Sequence, residues 1–214
     1  MYQKTVLNNG IRVVTEQLPH LRSASMGVWI ASGSRNEPVA MAGASHFLEH
    51  LLFKGTEKLS AKEIAEKVDA VGGQLNAYTG KEHTCFHMKV LDTHLPLAFS
   101  ILGEMLLRPK LAPEDVKKER EVILEEVSMY EDAPDEMAHD LNIEQPWKQN
   151  PLRHNSLGTR QTLSSMRAAN LRAYYEEQYT PERLVIAAAG NVEHQAVVAL
   201  AQEYFGGLQR PATI

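Results

Sequence analysis

Between Ala42 and Phe53 the chain sets His46, Glu49 and His50 into a segment made otherwise apolar by Phe47, Leu48, Leu51, Leu52 and Phe53. The apolar spacing predicts a helix over 42–53, and charged groups inside so apolar a helix need partners. Positions i and i+4 of a helix share a face and i+3 lies beside them, so both imidazoles and the carboxylate point the same way. Two imidazole nitrogens can then reach one ion at about 2.0–2.1 Å, with a carboxylate placed to take a proton from a water that the ion activates. With nine His and 27 Asp plus Glu in 214 residues, a shuffled chain holds roughly 0.05 copies of H-x-x-E-H. The pattern predicts a metal centre built on this helix.

A catalytic zinc site usually takes three protein ligands and keeps one position for water, so a third donor has to come from elsewhere. Pro113 opens another candidate helix, running to Glu131, with Val116, Ile123 and Val127 as its apolar stripe. Glu119 and Glu126 lie in it two turns apart along one face. Spacing alone leaves both Glu125 and Glu126 open as the third ligand, and solvated glutamates are the ordinary state of such a helix.

The remaining elements follow from periodicity and punctuation. Thr5-Val6-Leu7 and Ile11-Arg12-Val13-Val14 flank Asn8-Asn9-Gly10, which predicts a hairpin. A third strand is expected over 25–31 and a loop over 32–38. Ser60 with Glu63 makes a capping box for a helix that Gly72-Gly73 stops. Strands are expected over 74–79 and 84–91, then helices over 95–107, 113–131 and 134–145 and a loop around 147–154. A helix over 163–177, a strand over 183–189 and a helix over 194–205 complete the series. This order predicts an α+β fold, an antiparallel or mixed sheet with helices packed on it. Residues 1–205 read as one domain, and Gly206-Gly207-Leu208-Gln209-Arg210-Pro211 as linker-like.

Composition narrows the function classes. A formal charge of −5 argues against a sequence-independent nucleic-acid binder, which needs clustered positive charge to displace counterions. Cys85 is the single cysteine, so no intramolecular disulfide forms and a reducing, cytoplasmic compartment fits. Its place in Thr84-Cys85-Phe86-His87-Met88-Lys89-Val90 predicts a buried, inert thiol on a strand. Met1 to Thr5 lead into a strand instead of an apolar signal segment, and no apolar run approaches the ~20 residues of a membrane-spanning helix. His83, His87, His94, His139, His154 and His194 lack ligand spacing with a carboxylate partner and read as structural or exposed.

His46-Phe47-Leu48-Glu49-His50, Gly72-Gly73 with Asn76-Ala77-Tyr78-Thr79, and Glu119-Arg120 followed by Val122-Ile123 and Glu126 closely resemble the inverzincin peptidases. That family includes pitrilysin, insulin-degrading enzyme and the mitochondrial processing peptidase, and the resemblance is nearest to bacterial relatives of the processing-peptidase β subunit. It implies a zinc-dependent endopeptidase acting on extended or unfolded peptides. His46 and His50 are then zinc ligands, Glu49 the general base, and Glu126, 76 residues after His50, the third ligand. It implies further that Glu119 supports the ligands as a carboxylate behind them, and that Asn76 and Ala77 lie on an edge strand that pairs with the substrate peptide. Glu136 and Asp140, at i and i+4, correspond to acidic residues that receive a substrate arginine near the cleavage point. Family members usually contain two homologous halves that close over the peptide. The resemblance thus makes this chain one half, with a linker beginning in 206–214 and a second homologous half or homodimer partner completing the chamber. Its alternative is a non-catalytic peptide-binding or scaffolding subunit, as in relatives that have lost the motif, and the intact His46, Glu49, His50 and Glu126 speak against it.

Overall fold

The computed structural model describes residues 1–144, 146–147 and 150–209. Gln145, the expected end of one helix, residues 148 and 149 of the expected loop, and linker residues 210–214 lie outside the described residues.

The sheet starts at a reversal that the sequence dictates. Gly10 adopts φ 96°, which L side chains rarely accept, and its N–H bonds to Leu7 O at 2.9 Å. Strands β1 (Gln3–Val6) and β2 (Arg12–Gln17) therefore pair antiparallel. β3 (Ser23–Ile30) pairs antiparallel with β5 (Thr84–Leu91), and β4 (Gln74–Thr79) pairs antiparallel with β5. β6 (Leu184–Gly190) returns late in the chain to the middle of the sheet, parallel to β2 and antiparallel to β3. The order β1-β2-β6-β3-β5-β4 is the expected mixed sheet, and it leaves β4 at one end.

One face of the sheet is a core. Val13, Met26, Val28, Ile30, Phe86, Met88 and Ile186 alternate along their strands and are fully buried. The described helices are α1 (Ala44–Leu52), α2 (Ala61–Asp69), α3 (Leu95–Leu107), α4 (Pro113–Glu131), α5 (Pro134–Glu144), α6 (Arg160–Ser165), α7 (Ala168–Gln178) and α8 (His194–Phe205), of which α1, α2, α3 and α8 pack directly against strands. Ser60 caps α2 as its sequence predicts, with Ser60 Oγ accepting from Glu63 N at 3.2 Å and Glu63 Oε2 accepting from Ser60 N at 2.8 Å. α1 packs against β4, α4 and α7, the arrangement that places the polar residues discussed below.

Two expectations change. α1 starts at Ala44 because Gly43 adopts φ 93° against Leu157. The single helix expected over 163–177 is two, α6 and α7, with Met166 and Arg167 extended between them. Arg120, reaching across from α4, stabilises that break: its Nε donates to Leu163 O at 3.1 Å and its Nη2 to Met166 O at 2.7 Å. These are carbonyls that a helix end leaves without partners.

Cys85 is buried in β5, and burial pushes its thiol up to about 11. His194 is buried between Thr5 and Thr15, whose hydroxyls lie 2.8 Å from its two ring nitrogens. Among the described residues, no helix is long and apolar enough to cross a membrane. Replacing Arg120 with Ala removes both bonds, leaving Met166 O with its second donor, Arg167 Nη1 at 3.1 Å, and is expected to lower stability by about 1–2 kcal/mol. Urea unfolding measures it, and a midpoint equal to wild type at equal slope would contradict this account of the break.

Candidate metal centre

His46 and His50 sit one turn apart on α1 with side chains 15% and 19% exposed. Their Nε2 atoms approach to 3.3 Å. α4 packs across α1 and brings Glu126 to both, with Oε2 3.6 Å from His46 Nε2 and Oε1 3.6 Å from His50 Nε2. A tetrahedral ion with ligand bonds of about 2.0–2.1 Å holds its donor atoms about 3.3–3.4 Å apart. Glu126 turns a different oxygen to each imidazole, and one ligand atom from each of the three residues lies within 4.8 Å of the others, close enough for the group to hold one ion. Burial, with the neighbouring His50 adding to it, pushes His46 down to about 4, so its imidazole is neutral and able to ligate at neutral pH. Glu125, the other candidate from spacing, is exposed.

Behind the histidines lies Glu119, 5% exposed. Its Oε2 is 3.2 Å from His50 Nδ1 and its Oε1 is 2.8 Å from Lys54 Nζ. A proton on His50 Nδ1 donates to this carboxylate, which leaves the Nε2 lone pair facing His46 and Glu126. Glu49 accepts a hydrogen bond from Thr79 Oγ1 at 2.5 Å. Burial pushes its carboxyl above the usual range, the Thr79 hydrogen bond and His50 pull it down, and the Glu126 charge pushes it up.

Thr79 and Lys54 are the contributors that the sequence reading passed over. Lys54 stands at i+4 from His50, a helical neighbour that spacing could have flagged. Thr79 falls in step with the half-buried Leu75 and Ala77 along β4, so period-2 reading would have turned it towards the covered face.

Asn76 and Ala77 lie on β4, the end strand of the sheet, whose outer edge has no strand neighbour among the described residues. Asn76 is exposed, and its Oδ1 accepts from the Ala77 N–H at 2.9 Å. Three residues on, about 10 Å at the rise of a strand, β4 reaches Thr79 and its bond to Glu49. Glu136 and Asp140 line one cleft with Tyr130, His139, Asn155 and Ser156. Asp140 Oδ2 accepts from Tyr130 OH at 2.5 Å and from Asn155 Nδ2 at 2.9 Å. Glu136 is exposed. Tyr130 follows Glu126 by one turn of α4, so this cleft begins next to the histidine cluster without joining it.

Comparison with known families shows where the chain belongs. Residues 12–160 match the family described as insulinase, peptidase family M16. The chain belongs to peptidase family M16. Residues 165–213 match a second M16 description, the inactive domain. That stretch contains α7, β6 and α8 and none of the site residues considered above, and its β6 lies between β2 and β3 of the same sheet. The chain is 48% identical over 204 residues to an uncharacterized zinc protease of Mycobacterium tuberculosis strain H37Rv, covering 95% of this chain and 47% of the relative. It is 38% identical over 209 residues to a probable β subunit of the mitochondrial-processing peptidase of Arabidopsis thaliana, covering 98% of this chain and 39% of the relative. A protease from Helicobacter pylori shares the fold at a TM-score of 0.94 and 25% identity, over all of this chain and 52% of that one. This M16 chain thus spans about half the length of the bacterial relative and less of the plant one.

The contact between β4 and α1 can be read directly. Thr79→Val removes a hydrogen bond that favours ionised Glu49, so in the metal-free chain the Glu49 carboxyl is expected to titrate at higher pH than in wild type. Carbon-13 NMR of labelled glutamate carboxyls follows it, and an unmoved or lowered midpoint would contradict the contact.

Proposed function

We propose that this M16 chain is the zinc-binding half of a metalloendopeptidase that hydrolyses extended or unfolded peptides. The observation that carries the reading is the meeting of His46 Nε2, His50 Nε2 and a Glu126 carboxylate at 3.3 and 3.6 Å, close enough for the group to hold one ion. Zinc held there supplies a Lewis acid that polarises a peptide carbonyl and acidifies water. The relatives named as zinc protease and processing peptidase support both the metal and the bond broken.

The remaining residues divide the work by position. Glu49, not part of the three-donor set, takes a proton from the attacking water and delivers it to the leaving amine. Thr79 holds the carboxylate in place from β4. Glu119, braced by Lys54, keeps His50 turned so that Nε2 faces the ion. The free edge of β4 pairs with the peptide backbone, Asn76 and Ala77 touching it, as strand addition at a sheet edge requires. Glu136 and Asp140 receive a basic side chain of the substrate, for which paired carboxylates give directional bonds to a guanidinium. A second homologous half or a homodimer partner closes over the peptide, which agrees with the length of the relatives.

A non-catalytic peptide-binding subunit is the competing reading, and the match of 165–213 to the inactive domain favours it. Glu49→Gln separates the two because it keeps the shape of the side chain and removes the base. Assayed on unfolded fluorogenic peptides with the second half or partner present, the variant is expected to keep wild-type zinc content and to lose about 10²–10⁴-fold in kcat. Equal turnover in wild type and variant, or none in the wild-type assembly, would leave the subunit reading standing.

A further inference from the structure

A 3₁₀ turn over Ser34–Asn36 delivers Glu37 into the interior, where it is 5% exposed. One of its carboxylate oxygens accepts from the Gly43 N–H and the other from the Ser45 N–H, both at 2.7 Å. These amides open α1, and the first N–H groups of a helix have no acceptor within it. The usual remedy is a Ser, Thr, Asp or Asn at the N-cap. That remedy is closed to α1. Its N-cap, Gly43, adopts φ 93°, and a Cβ there would stand 2.6 Å from Leu157 O. The acceptor has to come from elsewhere in the chain, and Glu37 supplies two oxygens at once. A negative charge at this end also suits the helix dipole. Burial pushes the Glu37 carboxyl up to about 7 while the two amides pull it down, so without them the anion would be harder still to hold. Ser45, the second capped residue, immediately precedes His46, and its hydroxyl lies 3.0 Å from Tyr174 OH of α7.

We propose that Glu37 is a positioning residue of the metal centre: by fixing the first turn of α1 it sets His46 Nε2 and His50 Nε2 against Glu126. The proposal rests on the reading of His46, His50 and Glu126 as metal ligands. It predicts that Glu37 acts on metal affinity and ligand geometry and not through stability alone.

Cobalt(II) is a suitable probe, since its visible absorption reports ligand geometry. The chain is titrated with cobalt(II) alongside Glu37→Gln, Glu37→Asp and a control, Val90→Ala, each first checked for folding by circular dichroism and thermal unfolding. Val90 is buried at the end of β5 remote from the Thr79 and Thr84 pair, so its truncation lowers stability without touching α1. In Glu37→Gln the cobalt Kd is expected to rise by about ten- to a hundredfold, with an altered spectrum. Glu37→Asp, whose shorter arm reaches one amide, should fall between, and it decides the matter if Glu37→Gln does not fold. Val90→Ala should bind as wild type does despite a lower Tm. Wild-type affinity and spectrum in the Glu37 variant overturn the proposal alone, and so does equal weakening in Val90→Ala. A wild-type chain that takes up no cobalt overturns the metal-site reading and this proposal with it.

Discussion

Helix α1 buries Phe47, Leu48, Leu51 and Leu52 completely or nearly so, yet it also carries two imidazoles and a carboxylate on an adjoining face. Burying such groups without partners costs several kcal/mol. α1 supplies almost none of those partners itself. Glu126 and Glu119 come from α4, Thr79 from β4, and the acceptors for the first amides from Glu37. The packing of α1 against β4 and α4 is therefore what makes the histidine cluster possible, and it is also what the sheet exists to hold. β6, the last strand among the described residues, is inserted between β2 and β3 and so joins the first hairpin to the rest of the sheet.

The same packing gives the site a direction. β4 is the end strand, with Asn76 exposed on it and Thr79 bonded to Glu49 three residues on. An extended peptide added to that edge would run past the carboxylate and the three-donor cluster. The acidic cleft at Glu136 and Asp140 begins one helical turn beyond Glu126, along α4 through Tyr130. The family M16 relatives from Mycobacterium tuberculosis and Helicobacter pylori are about twice as long as this chain.

What the sequence made legible was local. The i, i+3, i+4 spacing of His46, Glu49 and His50 and the alternation of β4 and β5 are short-range patterns, and their elements appear where the residues predict. Partners from distant segments were not legible. Spacing could not choose between Glu125 and Glu126, because the choice depends on which side of α4 meets α1. The break between α6 and α7 was missed because the group that satisfies it, Arg120, lies 43 and 46 residues from the carbonyls it binds. The capping of α1 by Glu37 escaped for a similar reason: the rule for helix starts looks at the N-cap residue, and here that residue is a glycine in a left-handed conformation.

The central claim is that His46, His50 and Glu126 form one three-ligand metal site. It is tested most directly by the zinc content of the purified chain, supplied with zinc and then dialysed, beside His46→Ala and Glu126→Ala variants that remain folded. The account predicts about one zinc per wild-type chain and little in either variant, since each removes a ligand from a site of three. Wild-type protein without zinc, or variants that retain it as fully as wild type, would contradict it.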